Sequence, residues 1–317
     1  MNIDFINKFK KKKIAVIGDL MLDRFLIGSS SRLSQEAPVP IVCVREDITV
    51  PGGAANVAVN IEALGGEPIL VGVVGRDLPS GQLLKLLKRK NIDTKGVLKL
   101  SNRITTEKTR LIVGDRQIAR IDREVTENLD YNTEQRVLRY IKNNIKKWDG
   151  IIISDYAKGL MTGQMAKNII SLAGKFNLKV IVDTKPKNFR YFKNSFIITP
   201  NQKEAFEMAS MSDIKKAARK INSFLNCNVL ITQGAQGMTL YESPNFFGIS
   251  AVQREVFDIT GAGDTVVAVL ALGISSGASL KDASVVANHA AGMVVSKFGT
   301  AFITSQELKR DIESNFR

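Results

Sequence analysis

Short apolar runs alternating with helical segments constrain this chain more than any other feature. Ile14-Ala-Val-Ile17 ends at once in Gly18-Asp19, and comparable runs recur at Ile69 to Val74, Ile151 to Ser154, Val180 to Asp183, Phe196 to Thr199 and Val229 to Thr232. Each is short, continuous and bounded by turn residues, which predicts a strand buried on both faces. Helical periodicity fills most of the intervals, at Ala54 to Leu64, Ser80 to Lys90, Thr133 to Lys147, Gly163 to Phe176 and Asp213 to Leu225. It dominates again from Ala262 to Lys297. This alternation predicts an α/β fold whose central sheet is mainly parallel and covered by helices on both faces. Two stretches break the rhythm. Residues 24–49 and 97–123 are rich in β-branched and charged side chains, with a turn expected at Gly114-Asp115. They read as antiparallel strands outside the main sheet, a small β lid. No repeat or long linker appears, so residues 1–317 are expected to form a single domain.

Several function classes fall away on composition. Cys43 and Cys227 stand alone with no C-x-x-C, so neither a disulfide framework nor a zinc site is readable, which fits a reducing compartment. No signal-peptide core and no apolar run approaching ~18 residues is present, and a cytoplasmic protein without a membrane span is expected. The net charge is +14, from 45 Lys+Arg against 31 Asp+Glu. Its densest run, Lys10 to Lys13, lacks interleaved aromatics and reads as a solvated face; no nucleic-acid motif accompanies it. Phosphorylated small molecules would suit the excess. The only histidine, His289, lies in the apolar helical stretch Ala-Asn-His-Ala-Ala-Gly and is expected to be packed. Base chemistry therefore falls to carboxylates or lysines.

Neither G-x-x-x-x-G-K-[ST] nor G-x-G-x-x-G occurs, so phosphate handling must sit elsewhere. The strongest candidate is Asp258-Ile-Thr-Gly-Ala-Gly-Asp264, which runs directly into an apolar helix. Gly261, Ala262 and Gly263 would offer unobstructed amides at a helix N-terminus, where anionic oxygens are favoured. Asp264, in the first turn, could take a proton from an attacking hydroxyl beside that anion site. The bland alternative is a glycine turn capped by an aspartate. A second element is Pro51-Gly-Gly-Ala-Ala-Asn56, where Gly53 permits close backbone approach and Asn56 could bind a polyol; simple close packing is the alternative. Gly18-Asp-Leu-Met-Leu-Asp23 places carboxylates at a strand's carboxyl end, where open α/β sheets bind ligands, and Asp23 is a candidate for sugar hydroxyls.

Gly52-Gly53…Asn56…Leu64-Gly65 combined with Asp258…Gly-Ala-Gly-Asp264 resembles the paired signatures of the ribokinase-like (PfkB) carbohydrate kinases, from Lys13 to about Ile303. The resemblance implies a ribokinase-like three-layer sandwich, with a β lid over the sugar that is often shared in a homodimer. It implies ATP and Mg2+ as cofactors, with Asp264 as base and Gly261 to Gly263 as anion hole. Asn201 and Glu204, in Thr199-Pro-Asn-Gln-Lys-Glu204, match the N-x-x-E element that organises magnesium, through water; from the residues alone the same pair also reads as a helix capping box. Thr232, Gly234 and Gly237 fall in the nucleotide-side loop and Asn288 in the adenine pocket. Asp258 and Thr260 lie where several members bind potassium.

Further segments narrow the likeness. Arg32-Leu-Ser-Gln-Glu-Ala-Pro-Val-Pro40, Ser154-Asp-Tyr-Ala-Lys-Gly159, Val182-Asp-Thr-Lys-Pro186, Ala287-Asn-His-Ala-Ala-Gly292 and Lys297-Phe-Gly-Thr-Ala301 are similar to the bacterial heptose-7-phosphate kinases, with Gln35 where a proline is usual. The implied reaction phosphorylates the anomeric hydroxyl of D-glycero-β-D-manno-heptose 7-phosphate, on the route to ADP-heptose and the lipopolysaccharide core. Asp23, Asn56 and Asp155 are then candidates for sugar hydroxyls, and Lys108, Arg110, Arg120, Lys158 and Lys185 for the substrate phosphate, although each cation could equally be solvated or salt-bridged. The likeness often continues into a nucleotidyltransferase domain bearing His-x-Gly-His. That motif is absent here, so the chain is expected as a stand-alone kinase or the kinase half of a longer product. A kinase for another sugar or nucleoside, and a catalytically silent ligand-binding regulator, are the alternatives.

Overall fold

The computed structural model describes residues 3–315 apart from 115, 253 and 298–300. In chain order its first half comprises β1 (Lys13–Gly18), β2 (Leu20–Leu33), β3 (Pro40–Gly53), α1 (Ala54–Ala63), β4 (Glu67–Gly75), α2 (Leu78–Arg89), β5 (Asp93–Leu100), β6 (Thr106–Val113), β7 (Arg116–Arg123) and α3 (Tyr131–Asn144). Then follow β8 (Gly150–Asp155), α4 (Gly163–Lys175), β9 (Val180–Thr184), β10 (Ile197–Ile198), α5 (Gln202–Ala209), α6 (Ile214–Leu225) and β11 (Asn228–Thr232). The chain closes with β12 (Met238–Glu242), β13 (Asn245–Ile249), α7 (Ala262–Ser275), α8 (Leu280–Val295) and α9 (Ser305–Asn315).

The main sheet has nine strands in the order β13-β12-β11-β10-β9-β8-β1-β4-β5, parallel from β11 to β5. Alternation along each central strand feeds two cores. Ile14, Val16, Ile152, Ile181 and Leu230 pack toward α1, α7 and α8, whereas Ala15, Ile17, Ile151, Ile153 and Val182 pack toward the face of α3 and α4. Burial on both faces is why these runs carry almost no polar residue. Because the strands are parallel, their carboxyl ends share one edge, and Asp19, Asp155, Asp183, Thr199 and Thr232 are gathered there. No helix among the described residues is long and apolar enough to cross a membrane.

The second sheet has four strands in the order β3-β2-β6-β7. Its root, Leu20 to Asp23, is buried, while its outer half projects into solvent. Two details correct the sequence reading. Val97 to Leu100, assigned to the lid, form the end of β5, which pairs with β4 in the main sheet and buries Gly96 and Leu100. The lid is also not wholly antiparallel, since β2 and β6 run parallel from Met21↔Thr106 to Gly28↔Val113. The hairpin β12–β13, absent from the sequence reading, extends the main sheet antiparallel at one edge. Residues 262–297 are two helices, broken where Gly277 adopts a left-handed φ of 91°. Asp115 of the expected turn, and 298–300 of the Lys297 to Ala301 segment, lie outside the described residues.

Candidate active site

Asp264 sits in the first turn of α7 and is buried. Gly261 precedes the helix with φ 82°, a left-handed geometry that glycine adopts without steric cost and that turns the chain into the helix. The amides of Gly261, Gly263 and Asp264 meet no protein acceptor among the described residues, and a Cβ placed on Gly263 would have nothing within 4 Å. Three open donors at a helix N-terminus could hold an anionic oxygen. Ala262 is a correction to the expected hole: its N–H donates to the Ile259 carbonyl at 3.3 Å and is already engaged.

Two neutral donors hold the carboxylate. Asn56 Nδ2 donates to Oδ2 at 2.7 Å and the Tyr156 hydroxyl to Oδ1 at 3.0 Å. Burial pushes Asp264 up to about 6, with Asp23 adding repulsion, while these two donors and Lys185 pull the other way. Asn56 is fixed by helix geometry. Asn60, one turn on in α1, accepts from the Thr265 hydroxyl at 2.8 Å and donates to the Asn56 carbonyl at 2.9 Å. An i, i+4 asparagine pair on one face of α1 therefore stitches that helix to the first turn of α7.

Asp264 and Gly263 face an open cleft whose opposite wall carries Asp183, Lys185, Asn201, Glu204 and Thr232. Asn201 caps α5, accepting from the Glu204 N–H at 2.9 Å, and Glu204 Oε2 accepts from the Asn201 N–H at 3.0 Å. Glu204 Oε1 is paired with Lys185 Nζ at 2.6 Å. The capping box and the wall of the cleft are thus the same residues. Among the described residues no group of three or more acidic, histidine or cysteine side chains could by itself hold a metal ion. Magnesium usually keeps waters and takes one or two carboxylates plus substrate phosphates, and Glu204 is a carboxylate of this wall that could serve it.

The sequence reading singled out neither Tyr156 nor Asp183. Asp183 and Lys185 project alike from the end of β9, and their alternation in Val-Asp-Thr-Lys could have flagged the pair. Burial, the largest influence, pushes Asp183 up to about 7. A carboxyl whose folded pKa is raised binds its proton more tightly folded than unfolded. Its contribution therefore costs stability as pH rises from about 4 through 7. Asp183→Asn removes that charge, so scanning calorimetry at pH 8 should find Tm raised by about 2–4 °C, the value of roughly 1 kcal/mol in a large chain. An unchanged or lower Tm would contradict this assignment.

The remaining candidates divide by what they touch. Asp23 Oδ1 pairs with Arg110 at 2.6 Å, and a Cβ on Gly52 would lie 2.1 Å from its other oxygen. Gly53 has φ 56° and a Cβ there would press on the Asp19 carbonyl. The lid cations Lys108 and Arg120 are neutralised locally, Lys108 by Asp122 and Glu124 and Arg120 by Asp122, and on the loop after β8 Lys158 meets Glu124 at 2.7 Å. Asp155 differs from expectation. It is buried, with its oxygens accepting from the Thr184 hydroxyl, the Asn188 amide and the Ala157 N–H, so it organises its own loop. Gly234 and Gly237 turn the chain from β11 into β12, and a Cβ on Gly237 would lie 2.0 Å from the Ile249 carbonyl. Asn288 Nδ2 donates to the Ser250 carbonyl at 2.8 Å, fixing the chain where it leaves β13. Asp258 accepts from the Thr260 N–H at 2.8 Å. His289 is buried beside Asp311, away from the cleft.

Comparison with known proteins fits this geometry. The family described as pfkB family carbohydrate kinase matches residues 11–307. "Bifunctional protein HldE" of Aliarcobacter butzleri is 39% identical over 94% of this chain and 64% of that protein. The protein of the same name from Gluconobacter oxydans is 39% identical over 97% of this chain and 66% of its own length. The chain thus spans about two thirds of the curated relatives it matches. Among solved structures, a putative ribokinase from Agrobacterium tumefaciens superposes with a TM-score of 0.79 at 18% identity, covering 97% of this chain and 99% of that one. Phosphofructokinase-2 from Escherichia coli, in complex with potassium, gives 0.78 at 20% identity over 97% and 100%. The fold is ribokinase-like.

Proposed function

The chain belongs to the pfkB family of carbohydrate kinases, and from that premise we propose that it transfers the γ-phosphoryl group of ATP to the anomeric hydroxyl of D-glycero-β-D-manno-heptose 7-phosphate. Membership makes it a phosphotransferase acting on a sugar hydroxyl and implies the use of ATP and Mg2+. The heptose assignment rests on the relatives named HldE together with the segments around Ser154, Val182 and Ala287. The single observation that carries the chemistry is Asp264, buried at the head of α7 beside open amides and facing the cleft.

In this reading Asp264 accepts the proton of the acceptor hydroxyl as transfer proceeds, and the Gly261, Gly263 and Asp264 amides hold the charge on the transferring group. Lys185 adds a cation to the same cleft. Magnesium, when bound with ATP, would neutralise phosphate charge, with Asn201 and Glu204 holding it through water because their oxygens already serve the capping box and Lys185. Asp23 and Asn56 would meet sugar hydroxyls, and the lid would close over the sugar to exclude water. A potassium ion near Asp258 and Thr260 belongs to the same reading, and the potassium complex of phosphofructokinase-2 is consistent with the use of that ion. Exposed apolar side chains on the lid, Val44, Ile48 and Ile121, support a homodimer formed through it.

The test is ADP release over a panel containing heptose 7-phosphate, ribose, nucleosides and fructose phosphates, with phosphorus NMR of the product. Heptose 7-phosphate should give the highest kcat/KM and a new anomeric phosphate. Since Asp264 must be ionised, its value near 6 predicts that activity falls as pH drops through about 6. Turnover of another sugar with none for heptose 7-phosphate would overturn the substrate assignment and leave the kinase.

A further inference from the structure

We propose that Tyr156 is a positioning residue for the phosphoryl-transfer base, its phenol O–H holding Asp264 ionised and turned to the cleft. This inference rests on Asp264 being that base. The phenol lies 3.0 Å from Asp264 Oδ1, and both residues line the cleft. Tyr156 reaches this place because its loop is built to present it. Its backbone N–H and that of Lys158 both donate to Asp19 Oδ2, at 2.8 and 3.0 Å. Asp155 accepts from the Ala157 N–H at 3.0 Å, which steadies the left-handed φ of 56° at that alanine. Lys185 Nζ lies 5.2 Å from the ring centroid, so the cleft cation covers one face of the ring.

The carboxylate needs such a donor because its charged surroundings are mixed. Asp23 from β2 and Asp183 from β9 face it with like charge, and Lys185 beyond β9 is the opposing cation. α1 contributes only the neutral Asn56, and α7 its own amides. Each Asp264 oxygen thus has one neutral donor and keeps room for an acceptor hydroxyl. Tyr156 itself remains a donor, since burial, and then Asp264 and Asp183, push its phenol well above the ordinary tyrosine value.

Tyr156→Phe deletes only the hydroxyl and keeps the ring under Lys185. Removing a donor to the charged form favours the protonated acid. The acid limb of the kcat/KM profile should then move up by about one pH unit, a tenfold gain in proton affinity, so the variant loses about five- to tenfold more activity at pH 6 than at pH 8.5. The KM for ATP should hold. A uniform loss at every pH, with the limb unmoved, would overturn the proposal. If the phenylalanine variant does not fold, site-specific replacement of Tyr156 by a ring-fluorinated tyrosine decides: its more acidic hydroxyl donates more strongly and should move the limb down, and an unmoved or raised limb refutes the role. Asp264→Asn separates the two ideas. If it is inactive while Tyr156→Phe leaves the limb in place, only the tyrosine's role falls; if it turns over normally, the base assignment itself falls.

Discussion

Asp264→Asn should retain ATP binding and lose about 10²–10⁴ in kcat, the range for removal of a general base. That corresponds to about 2.7–5.4 kcal/mol of barrier. The asparagine keeps the size of the side chain; its one oxygen can accept from Asn56 while its NH2 donates to the Tyr156 hydroxyl oxygen, so the first turn of α7 is preserved. What disappears is the group able to take the acceptor's proton. Affinity for ATP, measured by titration calorimetry, should stay close to wild type because the amides of Gly261 and Gly263 are untouched. Burying an unpaired carboxylate costs stability when ionised, so Tm above pH 7 should not fall and is expected to rise. A variant that turns over at the native rate would remove Asp264 from the mechanism.

Gly263→Val probes the same site from the phosphate side. A Cβ at this position has nothing within 4 Å, so the fold has room for the side chain, and valine is no worse than glycine in a helix. The space it fills is the cleft. Branched methyl groups beside the open amides would keep the transferring phosphoryl group from its donors, and kcat/KM should drop by about 10²–10³, the loss typical when an oxyanion-hole contact is removed. Tm should change by no more than about 2 °C, which is under 1 kcal/mol here. A Tm collapse with activity surviving in the folded fraction would mean that Gly263 serves packing and not anion binding.

Much of the fold was legible because parallel strands buried on two faces have no polar positions to spare. Ile14 to Ile17, Ile151 to Ser154 and Val180 to Asp183 stand out for that reason, and the two cores they feed account for the apolar periodicity of α1, α4 and α6. The edges were less readable. β5 mixes Asp93, Lys95 and Lys99 with its apolar residues because one flank is solvated, and so it resembles the lid strands in composition. The hairpin β12–β13 turns through Ser243-Pro244, a short connection between two strands that carry no continuous apolar signal. Only the register of β5 against β4 distinguishes sheet edge from lid.

The candidate site divides along a similar line. Asp264 and its glycines are contiguous, so their chemistry can be argued from one segment. Asn56 was legible only as a polar residue in an apolar helix, and its contact with Asp264 spans 208 positions. Tyr156 lies in Ser154-Asp-Tyr-Ala-Lys-Gly159, where nothing local marks a tyrosine as a donor to a carboxylate 108 positions away. The cations on the lid were visible as charges but not as pairs. Lys108 on the lid and Lys158 on the loop after β8 find acidic partners that only the three-dimensional register reveals, whereas Arg120 meets Asp122 two positions on in β7. Asp155 could not be separated from Asp23 by sequence, because both end or follow strands. Their partners differ: buried neutral donors for one, an arginine on the lid for the other.

A crystal structure with a non-hydrolysable ATP analogue and heptose 7-phosphate tests the whole account most directly. The account requires the γ-phosphate against the amides of Gly261 and Gly263, and the anomeric oxygen about 3 Å from an Asp264 oxygen. A γ-phosphate seated elsewhere along the sheet edge, or an acceptor oxygen with no approach to Asp264, would contradict it.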